Sequence, residues 1–173
     1  MIEPELVENR IFKLLGCVFY GDPFHSKPGW TKGNEIWLLW ERFGNLSRKY
    51  SALLSKVAKD LDTGYEIHIE PEEYKTTKNY YVFVGFEIEE FLEIPLEMYF
   101  KSFPKINYVK FSTKMKSKEN LGGYIYREWM PKNNFKQAFP YVIESYNSKR
   151  FKSVDDPESE IDWYIPIKKL NKK

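Results

Sequence analysis

The sequence predicts an α+β fold, a tandem βαββ repeat in which an antiparallel sheet carries helices on one side and a cleft opens between the halves. Three observations predict it. Short runs of strand periodicity alternate with two stretches of helical periodicity. The order is strand, helix, strand, strand, and then the same again, with a period of about eighty residues in elements rather than letters. Two such units put their helices on one side of a shared sheet, and their junction is a natural cleft. The 173 residues read as a single domain, 1–173, with pseudo-repeats over about 10–90 and 105–168.

Residues 10–20 (RIFKLLGCVFY) form the first predicted strand, followed by turn residues Gly21-Asp22-Pro23 and Lys27-Pro28-Gly29. Asn34 is suited to cap a helix and Glu35 to sit at its positive end. Ile36, Leu39, Trp40 and Phe43 then share one helical stripe. Gly44-Asn45 interrupts the pattern, and Leu46, Tyr50, Leu53, Leu54, Val57 and Leu61 continue it to Asp62-Thr63-Gly64. One bent helix or two would satisfy this spacing. Residues 65–70 (YEIHIE) alternate cleanly up to Pro71, while 80–88 (YYVFVGFEI) are apolar on both faces, as in a central strand. Gly85 there marks a bulge or a close approach. Beyond a loop holding Pro95 and Pro104, residues 106–113 form a strand and 119–130 a helix that ends near Pro131. Residues 139–146 and 160–167 complete the set.

Composition narrows the function classes. Hydrophobic residues make up 42% and charged residues 30%, an ordinary balance that fits a soluble globule. Aromatic residues reach 18%, with 13 Tyr among them, and such rings are large enough to line a cavity as well as fill a core. Lysines are scattered among glutamates and the net charge is only +2, which leaves no basic stripe for nucleic acid. Lys168-Lys169 and Lys172-Lys173 read as a solvated tail. Cys17, the single cysteine, can form no intrachain disulfide and reads as a buried small hydrophobe. With no basic leader and no long apolar run, the chain is expected in the cytoplasm, away from membranes.

No cofactor or metal is expected. His25 and His68 lie far apart with no partner at ligand spacing, and the phosphate-loop, dinucleotide and nucleophile-elbow motifs are absent. What remains is an acid among rings. Glu144 lies in Tyr141-Val142-Ile143-Glu144-Ser145-Tyr146, where period two puts Val142, Glu144 and Tyr146 on one face. A half-buried carboxylate needs a charge or hydrogen bond to meet it. It is either a counter-charge or general base in a site, or a rim glutamate bonded to a nearby Lys, Arg or Tyr hydroxyl. Trp37 sits off the helical stripe and is the freer candidate for a pocket wall, whereas Trp40 belongs to the stripe and to the core. Tyr81, Phe83, Tyr146 and Tyr164 are the other candidate walls. Together they would form an aromatic box for a small hydrophobic or cationic ligand. On the last strand only one of Trp163 and Tyr164 can share the face of Glu144.

The pieces Ile36 to Phe43, Ile94-Pro95, Tyr108-Val109-Lys110-Phe111, Trp129-Met130-Pro131, Ile143 to Tyr146 and Asp156 to Ile167 follow one another as in the GyrI-like, AraC-type effector-binding domains, which the chain resembles over about residues 10–168. The resemblance implies a tandem βαββ fold with a ligand groove. It puts the family's acidic position on Glu144, the ring two residues on at Tyr146, and the last-strand tyrosine on Tyr164. At Lys114-Met115-Lys116 the chain departs from the glycine often found after the fourth strand. Three functions are implied: a stand-alone binder of aromatic, cationic compounds; a hydrolase of cyclopropane-bearing genotoxins using Glu144 and Tyr146; or a module for a protein partner, which would need an exposed patch rather than a deep groove. Only about ten residues precede the first strand, too few for a helix-turn-helix, so no direct DNA binding is expected.

Overall fold

The computed structural model describes residues 4–27, 31–89 and 93–170. Pro28 and Gly29 of the predicted turn and the terminal Lys172-Lys173 lie outside them. Period-two segments become β2 (Lys13–Gly21), β3 (Thr63–Ile69), β4 (Tyr80–Glu87), β6 (Ile106–Lys114), β8 (Tyr141–Asn147) and β9 (Glu160–Lys169). Three further strands, β1 (Glu5–Arg10), β5 (Tyr99–Ser102) and β7 (Phe135–Gln137), go unpredicted. Among the described residues these make one nine-stranded sheet in the order β1-β6-β9-β8-β3-β4-β2-β5, with β7 also paired to β9, and every pairing is antiparallel. Residues 13–87 supply β2, β3 and β4, and residues 106–169 supply β6, β8 and β9. They meet at the β3–β8 pair, near the middle of the sheet.

The predicted first strand, 10–20, is β2, and the unpredicted β1 precedes it. Asn9 adopts a left-handed φ of 51° within an irregular stretch of pairing, and the chain re-enters the sheet at Lys13 on the other side. The helical stretch also divides. α1 (Glu35–Lys49) runs straight through Gly44-Asn45 and ends at Tyr50, where φ −106° and ψ 26° leave the helical range before α2 (Ser51–Val57) begins. Asn34 caps α1, its side-chain oxygen accepting from the Trp37 N–H at 2.9 Å. A one-turn α3 (Tyr74–Thr77) follows β3. The predicted second helix is α4 (Lys118–Tyr124), continued by a wide turn at Ile125–Trp129 into α5 (Met130–Lys132), so Pro131 lies within its last turn rather than past it.

Both helical layers lie on one face of the sheet. Leu39 and Phe43 of α1 and Leu54 and Val57 of α2 pack on Leu15, Cys17, Val82 and Val84. Leu121, Ile125 and Met130 pack on Val109, Phe111, Ile165 and Ile167. Cys17 is fully buried and burial pushes its thiol pKa up, which leaves it an inert packing residue. The other face carries a separate aromatic core of Phe12, Tyr65, Phe83, Phe103, Tyr108 and Tyr141. Gly85 marks a close approach: it pairs with Gly16, and a Cβ on Gly16 would stand 1.9 Å from the Val84 carbonyl oxygen. No helix among the described residues is long and apolar enough to cross a membrane.

Candidate ligand-binding groove

Between α1 and α4 the helical layer leaves β3 and β8 uncovered, and a cavity of about 960 Å3 opens there. That volume lies in the range of small-molecule sites, about 300–1,000 Å3. Its floor follows from strand register. Glu66 of β3 stands directly opposite Glu144 of β8, which in turn stands opposite Trp163 of β9. Two like charges across a strand pair are unfavourable unless something compensates them. Here both carboxylates are buried, at 1% and 5% exposure, and both are compensated.

Glu66 Oε1 lies 2.6 Å from His68 Nε2, two residues along on the same face, and its Oε2 accepts from the Trp40 indole N–H at 2.5 Å. Burial pushes the Glu66 pKa up, but His68, the indole and the Lys118 charge together outweigh it and hold the carboxyl below its ordinary range. For His68 the balance is the mirror image. Burial favours the neutral ring, and the Glu66 bond with the Glu144 charge overcomes it, so its pKa is raised. Glu144 Oε2 accepts from Lys118 Nζ at 2.9 Å and from the Tyr146 hydroxyl at 2.6 Å. Burial lowers the Lys118 pKa against the opposing pull of Glu144 and Glu66, and burial together with those two carboxylates raises that of Tyr146 well above 10.

Aromatic rings wall the groove. Trp37 and Trp40 come from α1, Trp163 from β9, Tyr146 from β8 and Tyr80 from β4. Trp40 meets Tyr146 edge-on at 5.7 Å, Tyr146 meets Phe151 at 4.9 Å, and His68 stacks on Tyr80 at 5.5 Å. Gly64 makes room for this arrangement: a Cβ there would stand 2.8 Å from the Trp40 ring. Among the described residues, no group of three or more His, Cys, Asp or Glu could hold a metal ion.

Of the residues singled out from the sequence, Glu144, Tyr146 and Trp37 line this cavity. Tyr81, Phe83 and Tyr164 do not, and assigning them to the wall needs correction. Phe83 pairs with Ile67, Ile67 with Ile143 and Ile143 with Tyr164, a row one residue away from Glu66, Glu144 and Trp163, and so on the opposite face. Phe83 is buried in the aromatic core there, Tyr164 packs edge-on to Phe12, and Tyr81 is exposed beside Tyr20. Of the two last-strand rings, Trp163 is the one that shares the face of Glu144. Glu144 is bonded to a lysine and a tyrosine hydroxyl, buried rather than at a rim, and it lines the groove. Trp40 is both core and wall.

Glu66, His68 and Lys118 were not found by reading the sequence. The signal for the first two was the alternation of YEIHIE, whose polar face looks like a solvent face. The signal for Lys118 was a lysine opening a helix, where acids are favoured.

An antiparallel sheet with its helices on one face, and a ring-lined groove with two buried, paired carboxylates between them, defines a small-molecule-binding domain. The chain matches the family model of integron-associated effector binding proteins (Cass2) over residues 5–167, and it belongs to that family, a GyrI-like effector-binding domain as the resemblance implied. It is 27% identical over 164 residues to the transcriptional regulator BrlR of Pseudomonas aeruginosa, a match covering 94% of this chain and 54% of that one. The chain thus spans about half the length of that curated relative. The structure of SAV2435 bound to tetraphenylphosphonium superimposes with a TM-score of 0.65 at 12% identity, over 96% of this chain and 94% of that one. The C-terminal domain of EcmrR does so with a TM-score of 0.64 at 15% identity, over 98% and 99%.

Proposed function

We propose that this chain binds bulky aromatic cations in the groove between α1 and α4, as a cytoplasmic effector-sensing or sequestering protein. The observation that carries this reading is the pair of buried carboxylates, Glu66 and Glu144, set in register under indole and phenol rings. A ring face adds about 0.5–2 kcal/mol to a cation's binding, and a desolvated carboxylate adds more. SAV2435, which shares the fold, is the protein seen with tetraphenylphosphonium, and that supports the assignment of ligand class. An affinity of micromolar order, about −8 kcal/mol, is what such a box would deliver. A deep groove, rather than an exposed patch, favours a small ligand over a protein partner.

Hydrolysis in the same groove is the second reading, with Glu144 activating water and Tyr146 supplying a proton. The 2.6 Å bond between those two groups points the prospective acid at the prospective base, an arrangement that favours binding over turnover. DNA recognition is not part of the proposal, since the net charge is only +2 and the lysines are dispersed.

Tryptophan fluorescence on the wild-type chain tests this. Methyltriphenylphosphonium should bind with micromolar affinity, more tightly than the matched neutral compound triphenylphosphine oxide, and should be recovered unchanged by mass spectrometry. Tighter binding of the oxide would reject the cation assignment. Nanomolar, sequence-dependent binding of duplex DNA at physiological salt, read by anisotropy, would reject the restriction to small molecules.

A further inference from the structure

We propose that Lys118 is a tethered occupant of the cation site, whose ammonium fills the position taken by a ligand's positive charge and must be displaced before a cationic ligand can bind. The inference rests on the groove being a cation site, and adds how that site chooses among cations.

Lys118 makes the contacts that an aromatic box offers a cation. Its Nζ lies 2.9 Å from Glu144 Oε2 and 5.5 Å over the ring of Trp163, and its side chain is 7% exposed. Glu66 acts on it from the neighbouring strand. With His68 protonated, the four central groups are already balanced: Glu66 and Glu144 negative, Lys118 and His68 positive. An additional cation would therefore enter a neutral site, and a cation that replaces the lysine keeps the balance.

Displacement selects by chemistry. A tethered group competes at an effective concentration of the order of millimolar or more, so a free ion that only equals it gains nothing. A small, strongly hydrated ion such as sodium or ammonium gives up its water for the same contacts the lysine already makes. A bulky cation with delocalised charge is weakly hydrated and brings ring area to Trp37, Trp40 and Trp163, while the released ammonium recovers its own water. The ligand class is therefore permanently charged aromatic cations, such as phosphonium and quaternary ammonium compounds. A neutral aromatic compound leaves the Lys118–Glu144 pair in place.

Calorimetry on the wild type and Lys118→Met, with methyltriphenylphosphonium and triphenylphosphine oxide, tests the proposal. The variant should bind the cation at least tenfold more tightly and the oxide within about threefold of wild type. Cation affinity that is unchanged or weaker in the variant, with wild type binding, overturns the role of Lys118 and leaves the cation site standing. Failure of both proteins to bind the cation removes the site and this inference together. Should the variant not fold, acetylation of wild-type lysines read by peptide mass spectrometry decides. Relative to exposed Lys75, Lys118 should label slowly in the free protein and at least threefold faster with saturating phosphonium, but not with the oxide. The absence of that rise overturns the proposal.

Discussion

Replacing Glu144 with glutamine is expected to weaken methyltriphenylphosphonium binding by about 2–5 kcal/mol, roughly 30-fold to several-thousand-fold. The amide keeps the side-chain shape and an oxygen for the Tyr146 hydroxyl, but it deletes the charge. It also leaves Lys118 facing an amide, so the groove changes from balanced to positive when His68 is protonated, and a cation is repelled as well as unmet. Triphenylphosphine oxide, which needs no counter-charge, should bind within about threefold of wild type. Calorimetry with both ligands on both proteins checks this. Equal affinities in all four titrations would leave Glu144 an ordinary structural acid.

Glu66→Leu is expected to cost about 3–5 kcal/mol of folding stability near pH 5.5, because it breaks a buried ion pair from one side. It strands the charge of His68 and takes the acceptor from the Trp40 indole N–H. The pH dependence has a definite sign. Glu66 has a lowered pKa, so its contribution is present above its unfolded value of 4.5 and is lost as pH falls through the folded one. His68 has a raised pKa, so its contribution is complete below 6.5 and is lost as pH rises through the folded value. The penalty should therefore be largest between pH 4.5 and 6.5 and should shrink as pH rises through the folded value of His68. Urea unfolding at a series of pH values from 5.5 upward measures it. A loss that falls at no pH above 6.5, or one below about 1 kcal/mol at pH 5.5, would contradict the ion pair.

The sequence made the order of the elements legible where hydrophobic period and turn chemistry agreed. β4 and β6 fall within a residue of their expected bounds, and Asn34 caps α1 as its chemistry suggests. The strands that escaped had no such signal. β5 and β7 hold only 4 and 3 residues, and β1 (ELVENR) is largely polar because it lies at the sheet edge.

The groove was half legible for a related reason. Period two fixes which residues share a face, so Val142, Glu144 and Tyr146 could be grouped within β8. It does not fix which row of one strand meets which row of another. Ring content groups Tyr81 and Phe83 with Glu144, and the resemblance adds Tyr164, while register puts all three behind the sheet. Alternation also cannot distinguish water from a polar cavity, which is why Glu66 and His68 looked like an outer face. Lys118 required tertiary knowledge: only the packing of α4 over β6 and β9 brings its ammonium to Glu144.

An aromatic cation is expected to seat in the groove between α1 and α4, above Glu66 and Glu144. A crystal structure of the wild-type chain grown with tetraphenylphosphonium tests it most directly. The phosphonium should lie within that groove, its phenyl rings against Trp37, Trp40 and Trp163, its phosphorus nearer to Glu144 than to any other acid except Glu66, and Lys118 drawn away from Glu144. A phosphonium bound behind the sheet among Tyr81, Phe83 and Tyr164, with the groove empty and the Lys118–Glu144 pair intact, would contradict it.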